Sequence, residues 1–402
     1  MTRALSRALM LCAVACALWL SPAFAEDQAT ASAPAPAGID CDSAGNVYVS
    51  DYALDRVVKF APDGSVLGQW GATGTAPGQF SGPFGVAVDA SNSVFVSDQL
   101  NNRVQRFTSD GALLSSWGVA GAGAGDLRTP FGLAVSNGRL YVADFGNDRV
   151  QVFGLDGSLL ASFGTRGSGD GQFQRPADVA VGSDGTVYVT DHFNDRVERF
   201  GSDGRYQGQL GTLAAVGVSQ LALGATASPT ATQSLPPTST PTAIVTLTPT
   251  TSPAQTTLTP TASPAAGSTS TLTPVPSATP PATATPLAAS AVTPISTPTT
   301  TSAISSEAQL RRPEGVTVDR DGNLWVADYG RDRIVKLAPD GRLLLSLGSR
   351  GTGAGEFVGP KGVAIDPITG HLYVTDTGNG RIQRLAPDGT AEATWPMPPA
   401  AQ

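Results

Sequence analysis

Short apolar runs of four to seven residues alternate along this chain with turns that carry glycine and aspartate, and the alternation is periodic. Residues 315–348 show the unit in full: GVTVD (315–319), a turn, LWVAD (324–328), a second turn, RIVKL (333–337), the turn APDG (338–341), and RLLLSLG (342–348). Runs of this length, rich in valine, leucine and aromatic residues and bounded by turn formers, predict four short antiparallel strands. The last turn reads APDG at 61–64, 338–341 and 386–389, and TSDG, GLDG and GSDG at 108–111, 154–157 and 201–204. Aspartate caps such a turn with its carboxylate and glycine takes the positive φ that other residues resist; where proline is present it presets the first position.

The unit returns six times. Its marker is an aspartate closing the second strand with an arginine five residues later: Asp51 and Arg56, Asp98 and Arg103, Asp144 and Arg149, Asp191 and Arg196, Asp328 and Arg333, Asp376 and Arg381. Four of the five intervals between successive aspartates are 46 to 48 residues, whereas Asp191 to Asp328 is 137, so a segment of about two repeat lengths is inserted there. Self-similarity at a fixed period marks a repeat architecture. The second strands are apolar on nearly every residue, as in Val47-Tyr48-Val49 and Leu140-Tyr141-Val142, which requires cover on both faces. Six sheets packed radially supply it, so the predicted fold is an all-β, six-bladed β-propeller of four-stranded antiparallel blades. Counted from Gly38 to Trp395, the first and last blades each own all four strands. The ring is therefore expected to close by packing blade one on blade six.

The second and third strands, VYVSDYALDRVVKF (47–60), VFVSDQLNNRVQRF (94–107), LYVADFGNDRVQVF (140–153), VYVTDHFNDRVERF (187–200), LWVADYGRDRIVKL (324–337) and LYVTDTGNGRIQRL (372–385), are similar to the NHL-repeat consensus, as are the PFGVAVD-type strands before them. The resemblance covers residues 38–211 and 310–396 and implies a six-bladed propeller. It constrains function less, because NHL-type propellers bind proteins or RNA or sense ligands, and relatives act as lyases or lactone hydrolases.

Composition divides the chain. Residues 1–25 read as a secretory signal: Arg3 and Arg7, an apolar core over 8–20, and the small-x-small site Ala23-Phe24-Ala25. Lipoprotein processing at Cys16 is the alternative, and the apolar core is too short for a membrane span. A secreted location, extracellular or periplasmic, follows. Residues 26–37 form an Ala/Pro-rich lead-in expected to be disordered, 38–211 blades one to four, 307–396 blades five and six, and 397–402 a tail. Between them, residues 212–306 are rich in threonine, proline, serine and alanine, with no charge from Tyr206 to Ser306. Such a segment cannot bury enough apolar surface to offset its ordering, so disorder is expected, as an O-glycosylated spacer or a plain insertion. Ala308-Gln309-Leu310 looks like the remnant of an inter-blade loop that elsewhere ends Gly78-Gln79-Phe80 or Gly171-Gln172-Phe173. Lengthening that loop costs about 2 kcal/mol of closure entropy, so one closed monomeric ring is expected, with exchange of blades between two chains as the alternative.

The formal net charge of −8 becomes −10 once Arg3 and Arg7 leave with the leader, which argues against nucleic acid as a partner. The mature chain would keep only Cys41 and form no internal disulfide. Cys41 stands where the other copies have Val88, Val135, Val181, Val318 and Ile365, so it reads as a small buried apolar residue.

The recurrent aspartate and arginine face each other at the ends of paired strands and read as structural ion pairs pinning a turn. The residue after each aspartate varies: Tyr52, Gln99, Phe145, His192, Tyr329 and Thr377. Four of the six are aromatic, a set suited to stacking on sugars or gripping peptide side chains, against packing on the neighbouring blade as the plainer role. Catalysis finds little support. His192 follows a second strand and His371 precedes one, so the two lie on opposite rims roughly 16 Å apart and cannot share a metal; no catalytic residue, metal or cofactor is assigned. No serine or cysteine nucleophile motif appears. Asp40, where other copies carry Ala87, Ala134, Ala180, Thr317 and Ala364, reads as the one irregular acid on the first strands, either lining the channel or solvated. GAGAGDL (121–127) and GTGAGEF (351–357) lack the lysine and helix of a phosphate loop, and DRDGN (319–323) lacks the later ligands of a calcium loop. The expected function is a binding or sensing module for a protein, peptide or glycan through the loop rim, with a channel-centred lyase or lactone hydrolase as the alternative.

Overall fold

The computed structural model describes residues 33–212 and 306–400. The leader, most of the lead-in and nearly all of the insert lie outside the described residues. Each repeat is a meander whose four strands pair in sequence order. Blade one comprises Pro36–Cys41, Val47–Asp51, Arg56–Phe60 and Val66–Trp70, and the others span 83–117, 133–163, 176–210, 313–347 and 360–396. Blade one begins at Pro36, not at the expected Gly38. Pro36 pairs with Asp51, and the Ala35 N–H donates to the Asp51 carboxylate at 2.9 Å; those two bonds draw the end of the lead-in into the sheet.

Burial peaks on the second strands and falls away from them, most steeply outward. All five residues of Val47–Asp51 and of the corresponding second strands are buried, while fourth strands such as Val66–Trp70 are largely exposed. The core is thus divided among the seams between blades. The seam of blades one and two packs Tyr48, Val57, Val86, Val94, Val96 and Phe107 around Phe80, the last residue of the inter-blade loop. Leu127, Phe173 and Phe357 do the same in their seams.

The insertion leaves this arrangement intact. Leu310 takes the plug position between blades four and five, and its N–H donates to the Gly211 carbonyl at 2.9 Å. The two ends of the inserted segment are therefore tied to each other, as the remnant motif predicts. At the sixth seam, between blades six and one, the C-terminal tail packs in the place that inter-blade loops take elsewhere. Met397 joins Ile39, Val58, Tyr373 and Trp395 in the core, and Arg56 takes the carbonyls of Pro398 and Pro399. Closure by packing blade one on blade six is what the structure shows, with Thr375 Oγ1 donating to the Ala37 carbonyl at 2.7 Å. Cys41 is a free, buried thiol in that seam.

The lesser motifs are structural. GAGAGDL and GTGAGEF are inter-blade loops ending in Leu127 and Phe357, and DRDGN is a turn in which Asp319 Oδ1 accepts the N–H groups of Asp321 and Asn323.

Candidate functional site

Each aspartate–arginine pair is an ion pair at 2.6 to 3.0 Å with a fully buried carboxylate. In blade three, Asp144 Oδ1 accepts the Arg128 N–H at 2.8 Å, while Oδ2 accepts Arg149 Nε at 2.8 Å and Asn147 Nδ2 at 2.9 Å. The guanidinium then reaches into the preceding loop and donates to the carbonyls of Ala122, Gly123 and Asp126. One residue before the arginine the backbone turns left-handed, with φ 54° at Asp148 and 55° at Asn102. That favours Asp, Asn or Gly, and the side chain hooks the following blade: Asp148 Oδ1 accepts the Arg175 N–H at 2.8 Å. Blades two to five are thus stapled to the loop on either side, whereas blade six has Gly380 in place of the hook.

The variable residues after the aspartates begin short turns, and most face inward. Gln99, Phe145, His192 and Thr377 are buried, whereas Tyr52 and Tyr329 are half-buried. Thr377 Oγ1 donates to the Pro36 carbonyl at 2.7 Å across the closing seam. Phe145 lies parallel on Phe131 with ring centroids 3.9 Å apart, Phe131 lies 4.2 Å from Phe84, and Tyr52 meets Phe84 edge-on at 6.4 Å. His192 packs against Phe193 and lies 6.4 Å from Tyr329. The next residue in blade two, Leu100, is an open apolar side chain at 54% exposure.

Because the first residue of the inner strand pairs with the aspartate in five blades, as Pro83 does with Asp98 and Pro313 with Asp328, the second residue opens onto the same rim; blade three's inner strand begins at Leu133, and Phe131 just before it holds the equivalent place. Those second residues are Ala37, Phe84, Phe131, Ala177, Glu314 and Lys361. Ala37, Phe84, Glu314 and Lys361 line a central cavity of about 170 Å³ that runs down between the inner strands. The third position is glycine in five blades because adjacent inner strands nearly touch: a Cβ on Gly85 would lie 2.4 Å from the Phe131 carbonyl oxygen.

Blade four breaks that rule with Asp178, which corrects the reading of Asp40 as the one irregular acid. Asp178 leans over blade three, where its Oδ1 takes the place a side chain on Gly132 would need. Its carboxylate accepts N–H bonds from Val179 at 2.9 Å and, across the seam, from Val316 at 3.0 Å. Asp40 does likewise in blade one, accepting from Cys41 and Val88, both at 2.8 Å. Burial pushes Asp40 up to about 6 and Asp178 up to about 8, outweighing those bonds; like charge from Glu314 and from Asp40, on the opposite blade, adds to the rise at Asp178. Glu314 is 8% exposed, its Oε1 lies 3.7 Å from His192 Nδ1, and its Oε2 has no hydrogen-bond partner. The Lys361 ammonium sits 5.6 Å over Phe84 and 6.0 Å over Tyr329.

Four of these features escape a reading of motifs. Asp178 and Glu314 were legible only as breaks in the column PAG, PFG, PFG, PAD, PEG, PKG, and Leu100 and the pre-arginine hook lie beside the residues singled out. His371, at the other rim, pairs with Glu392 at 2.9 Å. Among the described residues no three His, Cys, Asp or Glu side chains are gathered to hold a metal ion, and no helix is long and apolar enough to cross a membrane.

Against known families, the NHL repeat matches at residues 127–153, 173–200, 310–337 and 357–385. Among solved structures, a streptogramin B lyase is 12% identical over 92% of this chain and 86% of its own, with a TM-score of 0.50. A protein of unknown function from Bacteroides caccae is 10% identical over 87% and 92%, also at 0.50. Such likenesses show the fold alone. Peptidyl-glycine alpha-amidating monooxygenase B of Xenopus laevis is 42% identical over 62 residues, 14% of this chain. The match spans only 7% of that protein's length.

Proposed function

We propose that this chain, an NHL-repeat β-propeller, is an exported binding module that engages a protein, peptide or glycan through the rim carrying the aspartate–arginine turns, with the channel mouth at its centre. The observation that carries this reading is the aromatic collar. Tyr52, Phe84, Phe131, Phe145 and Tyr329 come from four different blades and gather around one end of the channel, beside the open Leu100. Large rings presented with little conformational freedom are the side chains that dominate binding hot spots. The signal-like start at residues 1–25 supports export. A lyase or hydrolase would need Asp40 or Asp178 free to move protons, but each is engaged by two backbone N–H groups, one of them across a seam. That engagement favours the binding reading.

Peptide and glycan arrays probed with the full chain test it. Capture of a defined set of ligands that is lost in Leu100→Ser or Tyr52→Ala chains of unchanged melting temperature is expected. No capture, or capture indifferent to both substitutions, overturns it.

A further inference from the structure

The channel beneath the collar is more selective than the collar itself. Its inner strands bring three carboxylates to it, Glu314 at the mouth, Asp178 one residue deeper and Asp40 two residues deeper again, against the single cation Lys361. Glu314 and Asp40 are three positions apart along equivalent strands, about 10 Å at the rise of an extended chain. Asp40 and Asp178 belong to blades one and four, which face each other across a six-bladed ring. Both use two oxygen sites on backbone N–H groups. Glu314 does not: among the described residues its Oε2 has no partner, although the side chain is nine-tenths buried and lines the cavity. An unpaired buried carboxylate oxygen is costly, because it has lost water and gained nothing in exchange.

We infer that this channel takes a primary ammonium group on a slender aliphatic stem, with Glu314 as its first acceptor and the carboxyl groups of Asp178 and Asp40 below it. The inference deepens the binding reading above and rests on it. Size sets the first limit. The cavity holds about 170 Å³, and a void of about 150 Å³ takes a guest the size of benzene, so one side chain or one small molecule fits and an oligosaccharide does not. Charge sets the second: a bound cation favours ionisation of Asp178 and Asp40, which burial opposes, whereas an anion would oppose it further. Compactness sets the third: a void of this size suits a point charge on a flexible stem better than the rigid planar fork of a guanidinium. The collar already accommodates such a group, for the ammonium of Lys361 lies over Phe84 and Tyr329 within the range of cation–π attraction. The same ammonium could come from a free diamine or from a lysine side chain of a bound peptide, and the two are separable by experiment.

Calorimetric titration of the full chain with 1,5-diaminopentane, with N-acetyl-lysine methylamide and with the uncharged N-acetyl-norleucine methylamide tests the inference. Binding of at least one ammonium compound is expected, with no binding of the norleucine compound. Tighter binding of the diamine identifies a free amine, and tighter binding of the lysine compound identifies a peptide side chain. Glu314→Gln should weaken binding tenfold or more, and Lys361→Met, which removes the competing cation, should tighten it. Equal binding of the norleucine compound, no binding of either ammonium compound, or a Lys361→Met chain of unchanged affinity overturns the inference; so does unchanged affinity in a folded Glu314→Gln chain. Array ligands that lack any amine, yet are still lost in Leu100→Ser, would sink this inference and leave the broader binding reading standing.

Discussion

The stapled rim and the channel lining are neighbours on the same strands, yet one recurs in all six blades and the other changes around the ring. At the rim, Asp144 and Arg149 have counterparts in every blade with nearly the same partners. In the channel, the second residue of the inner strand is alanine, phenylalanine, phenylalanine, alanine, glutamate and lysine in turn. A seam must be closed six times with the same geometry, so its chemistry is repeated; a channel is a single place into which six strands each contribute once. Repetition therefore marks the residues that build the ring. Departures from it mark the residues free to address something else.

The largest expected effect comes from cutting one staple. Asp144→Ala leaves the Arg149 guanidinium without its carboxylate and strands the Arg128 N–H and the Asn147 amide that Asp144 now accepts. Removing one partner of a buried pair costs about 3–5 kcal/mol, a large share of a stability of about 5–15 kcal/mol. Denaturant unfolding would show it, and a loss under about 1 kcal/mol would mean that the rim pairs do not hold the ring. Next comes the close approach of inner strands. Gly85→Ala sets a methyl group 2.4 Å from the Phe131 carbonyl oxygen, and forced overpacking of this kind costs about 1–3 kcal/mol. An unchanged melting temperature would show that the inner strands can spread without penalty.

This contrast also explains what the sequence disclosed. Strand number, blade number, ring closure and the loop remnant at Ala308-Gln309-Leu310 all rest on local pattern repeated six times, and each was legible. The direction of Gln99, Phe145, His192 and Thr377 was not. Whether a turn residue faces solvent or the next blade depends on inter-blade spacing, which no single repeat encodes. The acids were missed for the opposite reason, because Asp178 and Glu314 interrupt a pattern that reading by motif smooths over. The C-terminal tail was equally opaque: that Met397 plugs a seam and Pro398 and Pro399 meet Arg56 follows only once the ring is closed.

A smaller effect should sharpen the boundary between repeated and singular chemistry in blade four. Gln105, Gln151 and Gln383 each donate Nε2 to the rim aspartate and to a loop carbonyl, at 2.6 to 3.3 Å. Glu198 occupies that place in blade four, fully buried, with Oε2 lacking a hydrogen-bond partner among the described residues. Burial pushes its carboxyl up to about 8 against the pull of Arg196, from an ordinary value of 4.5. Between those two values the folded state holds more proton than the unfolded one, so this group's contribution makes stability fall as pH rises from about 4.5 to about 8 and level off above. Glu198→Gln restores the amide of the other blades. Its chain should lose part of that slope, the remainder coming from Asp178 and Asp40, and should gain most in stability at pH 8. Parallel pH profiles for the two chains would show that Glu198 is not held neutral in the fold.

The smallest expected change in stability is the most informative about function. Leu100 is 54% exposed at the collar's edge, and surface substitutions away from caps, cores and networks move stability by about 0.5 kcal/mol or less. Leu100→Ser should therefore melt with the unaltered chain, unlike Asp144→Ala. If the rim is a binding face, the same substitution removes an open apolar side chain beside Tyr52 and lowers ligand capture. An interior residue loses stability and function together, whereas a contact residue loses function alone. A Leu100→Ser chain that unfolds several degrees early would place Leu100 with the staples. One that melts normally and captures less would separate the face that binds from the ring that supports it.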